Sequence, residues 1–301
     1  LRAENFFDRH GGIALPGIPE LLRYFKPMRI FKGKTAVVTG GGDGIGRALC
    51  LELGALGAKV FVTGRNPENI NQTARRIKEQ GGTAQAVQLD VCSLEAVRRV
   101  LCKTADENGS LDYIFNNAGI SVAGEISDLS MEHWEKVIRT NLIGTLHGTT
   151  EAYRIMIAQG GGHIVNISSL AGLLPFPVKA PYCATKHAIV GLSSTLRAEG
   201  AAFGVKVTVA CPGLVATNIW QKTPIMRADN ADVLKIIRGP MMSPEKAALA
   251  ILKGTAKNKG LLVFPTHAKL LWWAYKIFPN GFNPIGAMLM RDFRKIKKNG
   301  S

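Results

Sequence analysis

No run of about 18 consecutive apolar residues occurs in the 301-residue chain, so a membrane-spanning helix is not expected. No charged start, apolar middle and small-residue cleavage site marks a signal peptide. The five cysteines, Cys50, Cys92, Cys102, Cys183 and Cys211, are odd in number and contain no CxxC pair. A chain this long needs no disulfide framework, and reduced, intracellular thiols fit best. No metal site is expected. Acidic residues are scarce, 22 against 38 basic ones, for a net charge of +16. Such a balance reads as a solvated basic surface, an anionic membrane surface or nucleic acid. The basic residues are scattered except for Arg291 to Lys298, and no aromatic-flanked basic motif is present, so no nucleic-acid partner is expected. With 46% hydrophobic and 20% charged residues, disorder is excluded.

Strand and helix patterns alternate from Lys34 onward. The short apolar run at 35–39 suits a buried parallel strand, and further strands are read at 59–63, 83–89, 111–115, 163–167, 205–210 and 261–264. Asn66 with Pro67, and Ser93, read as helix starts. One long helix is expected from Met131 to Gln159, ending at Gly160-Gly161-Gly162, and another from Pro181 to about Ala202. There is no internal repeat and no low-complexity linker. The rhythm predicts an α/β fold: a Rossmann-type doubly wound parallel sheet of about seven strands, helices on both faces, in a single domain.

The first strand runs into Thr39-Gly40-Gly41-Gly42-Asp43-Gly44-Ile45-Gly46 and then a helix. Glycines let the backbone approach a pyrophosphate, and the helix start offers N–H groups and a positive dipole end. The spacing is GxxxGxG, not GxGxxG. The second strand ends at Gly64-Arg65, where an acid would hold the ribose hydroxyls of NAD. Gly64 leaves room and Arg65 suits a 2′-phosphate, with Arg47 assisting, so NADP(H) is favoured over NAD(H). Tyr182 and Lys186 are four residues apart on one helix face. A nearby cation favours phenolate, so Lys186 is expected to lower the Tyr182 pKa. Ser169 ends a strand, at the sheet edge where such folds bind ligands, and can hold a substrate oxygen while Tyr182 exchanges a proton.

Taken together these motifs resemble the short-chain dehydrogenase/reductase family, over roughly Lys34 to Phe264. The family's TGxxxGxG matches Thr39 to Gly46. Its acid after the third strand matches Asp90, followed by Val91. Its NNAG matches Asn116-Asn117-Ala118-Gly119, its helix asparagine Asn141 and its YxxxK Tyr182 to Lys186. Its serine matches Ser169 by the 13-residue spacing to Tyr182. Its PGxVxT turn matches Pro212-Gly213-Leu214-Val215-Ala216-Thr217. The resemblance implies an NADP(H)-dependent carbonyl reductase or alcohol dehydrogenase. The pro-S hydride would pass to a carbonyl carbon, Tyr182 would protonate the oxygen and Ser169 orient it. Lys186 would bind the nicotinamide ribose and tune Tyr182. Asn141 would hold a relay water on a locally bent helix. Thr217 and the Val215 backbone would fix the carboxamide. Gly40, Gly42, Asp43, Gly44, Ile45, Gly46, Arg65, Asp90, Val91, Asn117, Ala118, Gly119, Pro212 and Gly213 would line the cofactor groove. The family is often dimeric or tetrameric, so a homodimer or homotetramer is expected.

The remaining segments bear on substrate. Leu170 to Val178 beside Ser169 is apolar. Asn218 to Met242, with Ile219, Trp220, Pro224, Ile225 and Met226, is the expected lid. An apolar wall implies a lipophilic ketone or alcohol; packing of the loop itself is the plainer reading. The domain reading is an extension over 1–33, a catalytic domain over 34–266 with its lid at 218–242, and a helical basic, aromatic tail over 267–301. The tail reads as a cover for the substrate site, a subunit contact, or an amphipathic helix in a membrane interface. Cytoplasmic location is expected, with peripheral membrane contact through the tail as the second possibility. Residues 1–27 read as an upstream extension or an addition made for expression, Met28 as a natural start, and Asn299-Gly300-Ser301 as a scar. The competing functions are a non-catalytic NADP(H)-binding regulator on the same fold and an epimerase or dehydratase acting on nucleotide sugars. A membrane-surface or nucleic-acid binding protein is suggested only by the charge and the tail.

Overall fold

Ala36, Val37 and Val38 are all fully buried because both faces of their strand are covered, which is why the run is apolar without alternation. Ala36 and Val38 join one core and Val37 the other. The computed structural model describes residues 26–236 and 239–298, and the readings made of residues 1–25 and 299–301 lie outside the described residues. In chain order the elements begin β1 (Thr35–Thr39), α1 (Gly44–Ala55), β2 (Lys59–Gly64), α2 (Pro67–Glu79), β3 (Thr83–Gln88), α3 (Leu94–Asn108) and β4 (Tyr113–Asn116). There follow α4 (Met131–Val137), α5 (Gly144–Ala158), β5 (Gly162–Ile167), α6 (Ala180–Gly200) and β6 (Val205–Pro212). The last are α7 (Ile219–Lys222), α8 (Asn230–Ile236), α9 (Pro244–Ala256), β7 (Leu261–Phe264), α10 (Thr266–Ile277) and α11 (Asn283–Ile296).

The seven strands form one parallel sheet in the order β3-β2-β1-β4-β5-β6-β7. The order reverses between β1 and β4, so a crevice opens at the carboxyl ends of those strands. Leu49 and Leu53 of α1, Ile77 of α2 and Ile251 of α9 fill the core on one face. Val97 and Leu101 of α3, Met156 of α5 and Leu196 of α6 fill the other. The anticipated caps are present: Asn66 accepts from the Asn69 N–H and Ser93 from the Ala96 N–H.

The long helix expected over Met131 to Gln159 is interrupted. Residues Ile138–Ile143 form a π-helical stretch between α4 and α5, and Asn141 lies inside it. A π-turn keeps a helical residue pattern, so periodicity alone reads straight through it. Met28 and Phe31, within the stretch read as an extension, are fully buried in the α1/α9 core. The Phe31 ring lies 4.9 Å from that of Tyr113.

The tail folds back over the loops at the end of the sheet. Ala268, Trp272 and Tyr275 of α10 pack on Leu170, Leu174 and Phe176, the loop that follows Ser169. From α11, Arg294 pairs with Glu125 at 2.7 Å. Just beyond it, Lys297 pairs with Asp128 at 2.6 Å and Lys298 with Asp229 at 2.7 Å. The tail therefore bridges the loop after β4 to the lid segment. Leu270 and Ile277 of α10, and Phe278 just after it, remain exposed. Among the described residues no helix is long and apolar enough to cross a membrane.

Candidate active site and dinucleotide groove

The glycine loop is shaped by what a side chain would hit. A Cβ at Gly46 would lie 2.2 Å from the Gly40 carbonyl oxygen, and Gly40 and Gly44 adopt φ of +66° and +50°. Thr39 and Asn117 fasten the loop to β4. The Thr39 hydroxyl accepts from the N–H groups of Asn117 (2.9 Å) and Ala118 (3.1 Å). Asn117 Nδ2 donates to the Thr39 carbonyl at 2.9 Å. Asn117 thus acts on the loop's shape through its side chain. The Thr217 side chain would touch a Cβ at Gly44, which brings the turn after β6 against the same loop.

Asp43 caps α1 by accepting from the Gly44 N–H at 2.7 Å. It also receives Asn218 Nδ2 at 3.0 Å and pairs with Lys222 at 2.6 Å, joining the loop to the lid. Burial alone would raise the Asp43 carboxyl, but Lys222, Asn218 and the Gly44 N–H outweigh it and hold it below its ordinary value. The cradle therefore carries no unbalanced negative charge of its own. A bare glycine turn, the first turn of α1 and an offset carboxylate fit a pyrophosphate. At the neighbouring strand ends Arg65 is exposed after Gly64, and Asp90 is exposed after β3, accepting from the Cys92 N–H at 3.0 Å. No acid stands at the end of β2, and the exposed guanidinium fits a 2′-phosphate.

Ser168 and Ser169 part company in the structure. Ser168 is buried and donates to the Lys186 carbonyl at 2.8 Å, a packing role. Ser169 is half-buried, and its hydroxyl accepts from the Ala171 N–H at 3.1 Å. On α6, Tyr182 faces the same cleft with the Lys186 Nζ 5.6 Å from its ring centroid. Lys186 is buried and donates to the Ile167 carbonyl at 2.8 Å. Asn141 is fully buried, exchanging two hydrogen bonds with the Ile120 backbone, at 2.8 and 2.9 Å. Gly119 separates it from Lys186: a Cβ there would lie 3.4 Å from Asn141 Oδ1 and 3.6 Å from Lys186 Nζ. The Oδ1 and Nδ2 atoms of the Asn141 amide are thus both engaged, and the residue holds the π-helical stretch against the loop after β4.

One expectation is corrected. Tyr182 is not lowered; burial pushes its hydroxyl up to about 12, with the Ser169 hydroxyl beside it acting in the opposite direction. Burial likewise brings Lys186 down to about 8. Desolvation governs both groups, an effect that residue spacing does not reveal.

Two features escaped the sequence reading. Lys179 packs its ammonium 4.4 Å from the centroid of the Trp220 ring. The Trp220 indole donates to the Val215 carbonyl at 2.8 Å, tying the lid to the turn after β6. The signal available for Lys179 is its position one helical turn before Tyr182, which places both on one side. Beyond it, a hollow of about 390 Å³ lies under α11, lined by Gly124, Phe176, Pro177, Val178, Ala180 and Met290 among others.

Residues 34–228 match the family model described as short chain dehydrogenase. EphD of Mycobacterium tuberculosis, named as an oxidoreductase, is 34% identical over 265 residues, which are 84% of this chain and 45% of EphD. The chain thus spans about half the length of that relative. SadH of the same organism, also named as an oxidoreductase, is 34% identical over 247 residues, covering 80% of this chain and 90% of SadH. A short chain dehydrogenase/reductase from Burkholderia phymatum, crystallised with NAD, has a TM-score of 0.74 at 27% identity, covering 80% of this chain and 91% of its own.

Proposed function

The chain belongs to the short chain dehydrogenase family and is an oxidoreductase of it, and from that premise we propose that it is an NADP(H)-dependent carbonyl reductase or alcohol dehydrogenase with Tyr182 as its acid/base. The observation that carries this reading is the half-buried Ser169–Tyr182 pair on one cleft, with the Lys186 ammonium 5.6 Å from the Tyr182 ring. Bound nicotinamide supplies or accepts the hydride. Tyr182, held neutral by its raised pKa, donates its proton to the carbonyl oxygen in reduction. Ser169 orients that oxygen. Lys186 fixes the site from behind and stabilises phenolate as it forms. In oxidation the same groups run in reverse.

NADP(H) is assigned over NAD(H) from the Gly64-Arg65 end of β2, with Arg47 on the first turns of α1 in support. Gly40, Gly42, Gly44, Ile45 and Gly46 would take the pyrophosphate, Asp90 and Val91 the adenine, and Pro212, Gly213, Val215 and Thr217 the nicotinamide side. The apolar loop after Ser169, with Leu170, Leu174 and Phe176, and the hollow lined in part by Phe176, Pro177, Val178 and Ala180 support a lipophilic substrate. The test is cofactor consumption against ketones and aldehydes graded from polar to lipophilic, with NADPH and NADH in parallel. Turnover with NADPH that rises with lipophilicity is expected. Faster turnover with NADH, or a preference for short polar ketones, refutes the corresponding part.

A further inference from the structure

Lys179 stands immediately before α6 and three residues before Tyr182. Its Nζ lies 4.4 Å from the Trp220 ring centroid and 5.8 Å from that of Tyr182. Its hydrogen-bond partner is the hydroxyl of Ser121, itself buried, at 3.5 Å. Among the described residues it forms no ion pair, whereas Lys222 and Lys297 nearby each hold a carboxylate. A desolvated ammonium held by two aromatic faces and one long hydrogen bond is poorly compensated. Burial brings its pKa down to about 8, so it still carries charge at neutral pH.

The ammonium is thus a charged group at the reacting tyrosine, roofed by the lid tryptophan, with no counter-ion from its own chain among the described residues. Lys186 lies near the Tyr182 ring as well, but it donates a hydrogen bond to the Ile167 carbonyl and is assigned to the cofactor side. The neighbours of Lys179, Val178 and Ala180, line the hollow under α11 with Phe176, Pro177 and Met290, and the one carboxylate in that lining, Glu125, is already paired with Arg294 and Lys297. Cation and apolar wall are therefore adjacent along one short segment. A counter-ion delivered by the ligand completes the coordination that the protein leaves open.

We propose that Lys179 binds a carboxylate of the substrate, which makes the substrate class an oxo acid or hydroxy acid whose carboxylate is close to the reacting carbon and whose remainder is apolar. The assignment rests on the reading of Tyr182 as the reacting group. Trp220 closes over the bound ion pair, excluding water that would weaken it. A purely structural role, a lysine that only props the lid, has a different consequence. It requires the bulk of the side chain and no anion.

The test is calorimetric titration of the full chain with octanoate and with octanamide, a neutral probe of matched length, with and without saturating NADPH. Octanoate is expected to bind at least tenfold more tightly than octanamide. Lys179→Met, which keeps the packing volume and removes the charge, is expected to erase the difference, and Lys179→Arg to retain it. Equal affinity for the two probes, no octanoate binding, octanoate displaced by NADPH, or a preference that survives in Lys179→Met overturns the proposal. No step of this titration involves turnover. Its failure leaves the reductase reading standing, and an inactive enzyme that still prefers octanoate through Lys179 leaves the carboxylate site standing.

Discussion

Replacing Gly46 by alanine tests the glycine loop most severely. The new Cβ would sit 2.2 Å from the Gly40 carbonyl oxygen and 2.4 Å from Asn117 Nδ2. Neither neighbour is a free side-chain end. The Gly40 carbonyl belongs to the turn, and Asn117 Nδ2 holds the Thr39 carbonyl at 2.9 Å. Relief needs a movement of about 1 Å in backbone or in that hydrogen bond. Overpacking of this kind costs about 1–3 kcal/mol, and a lost hydrogen bond adds about 1 kcal/mol. A destabilisation of about 3 kcal/mol is expected in urea unfolding followed by circular dichroism, together with weaker NADPH binding. Gly191 supplies the control. It is a glycine of α6 with nothing within 4 Å of its would-be Cβ. There alanine gains helix propensity, and a stabilisation of roughly 0.5–1 kcal/mol is expected. The two Gly→Ala changes should have opposite signs. A Gly46→Ala protein within about 0.5 kcal/mol of the parent refutes the loop geometry and, with it, the assignment of the pyrophosphate cradle.

Other consequences are equally open to measurement. Arg65→Ala should weaken NADPH binding by roughly 10- to 100-fold, the range for losing hydrogen bonds to a charged group, while NADH binding barely changes; an equal loss for both cofactors contradicts the 2′-phosphate role. His163 is buried against the Thr208 hydroxyl at 2.8 Å, and burial, with Lys206 and Arg197 adding, brings its pKa from 6.5 down to about 3. The unfolded chain then binds more protons between those values, so this contribution is complete above pH 6.5 and is lost as pH falls. Between pH 7 and pH 5 the stability should drop by about 2 kcal/mol on this account. His163→Gln should flatten that part of the urea-denaturation profile; an unchanged slope contradicts the neutral, buried imidazole.

Much of the scaffold was legible because central parallel strands covered on both faces, such as β1 and β4, leave unbroken apolar runs, and the edge strands β3 and β7, which are only partly buried, followed from the alternation with helices. The caps at Asn66 and Ser93 were legible because they depend on neighbours three residues away. Periodicity did not show the π-helical stretch, since Asn141 is drawn in by the Ile120 backbone, a tertiary contact that leaves no local mark; a bend at Asn141 was expected only from the family resemblance. The tail's hold on the loop after β4 depends on pairs such as Arg294–Glu125, and many glutamates could have served. Within the site, Ser169 was separable from Ser168 by spacing, and their unequal burial agrees. The direction of the Tyr182 shift was illegible because burial, not spacing, governs it. Lys179 drew no notice because Trp220, its aromatic partner, comes from the lid.

The most direct measurement compares the parent chain with Tyr182→Phe on the best ketone of the panel. NADPH oxidation is followed at saturating ketone, and NADPH affinity by fluorescence. Removing the phenol hydroxyl should lower turnover by about 10²–10⁴-fold, the range for loss of a general acid/base, with NADPH affinity nearly unchanged. Turnover that persists in Tyr182→Phe with intact NADPH binding contradicts Tyr182 as the proton donor and the reductase mechanism built on it.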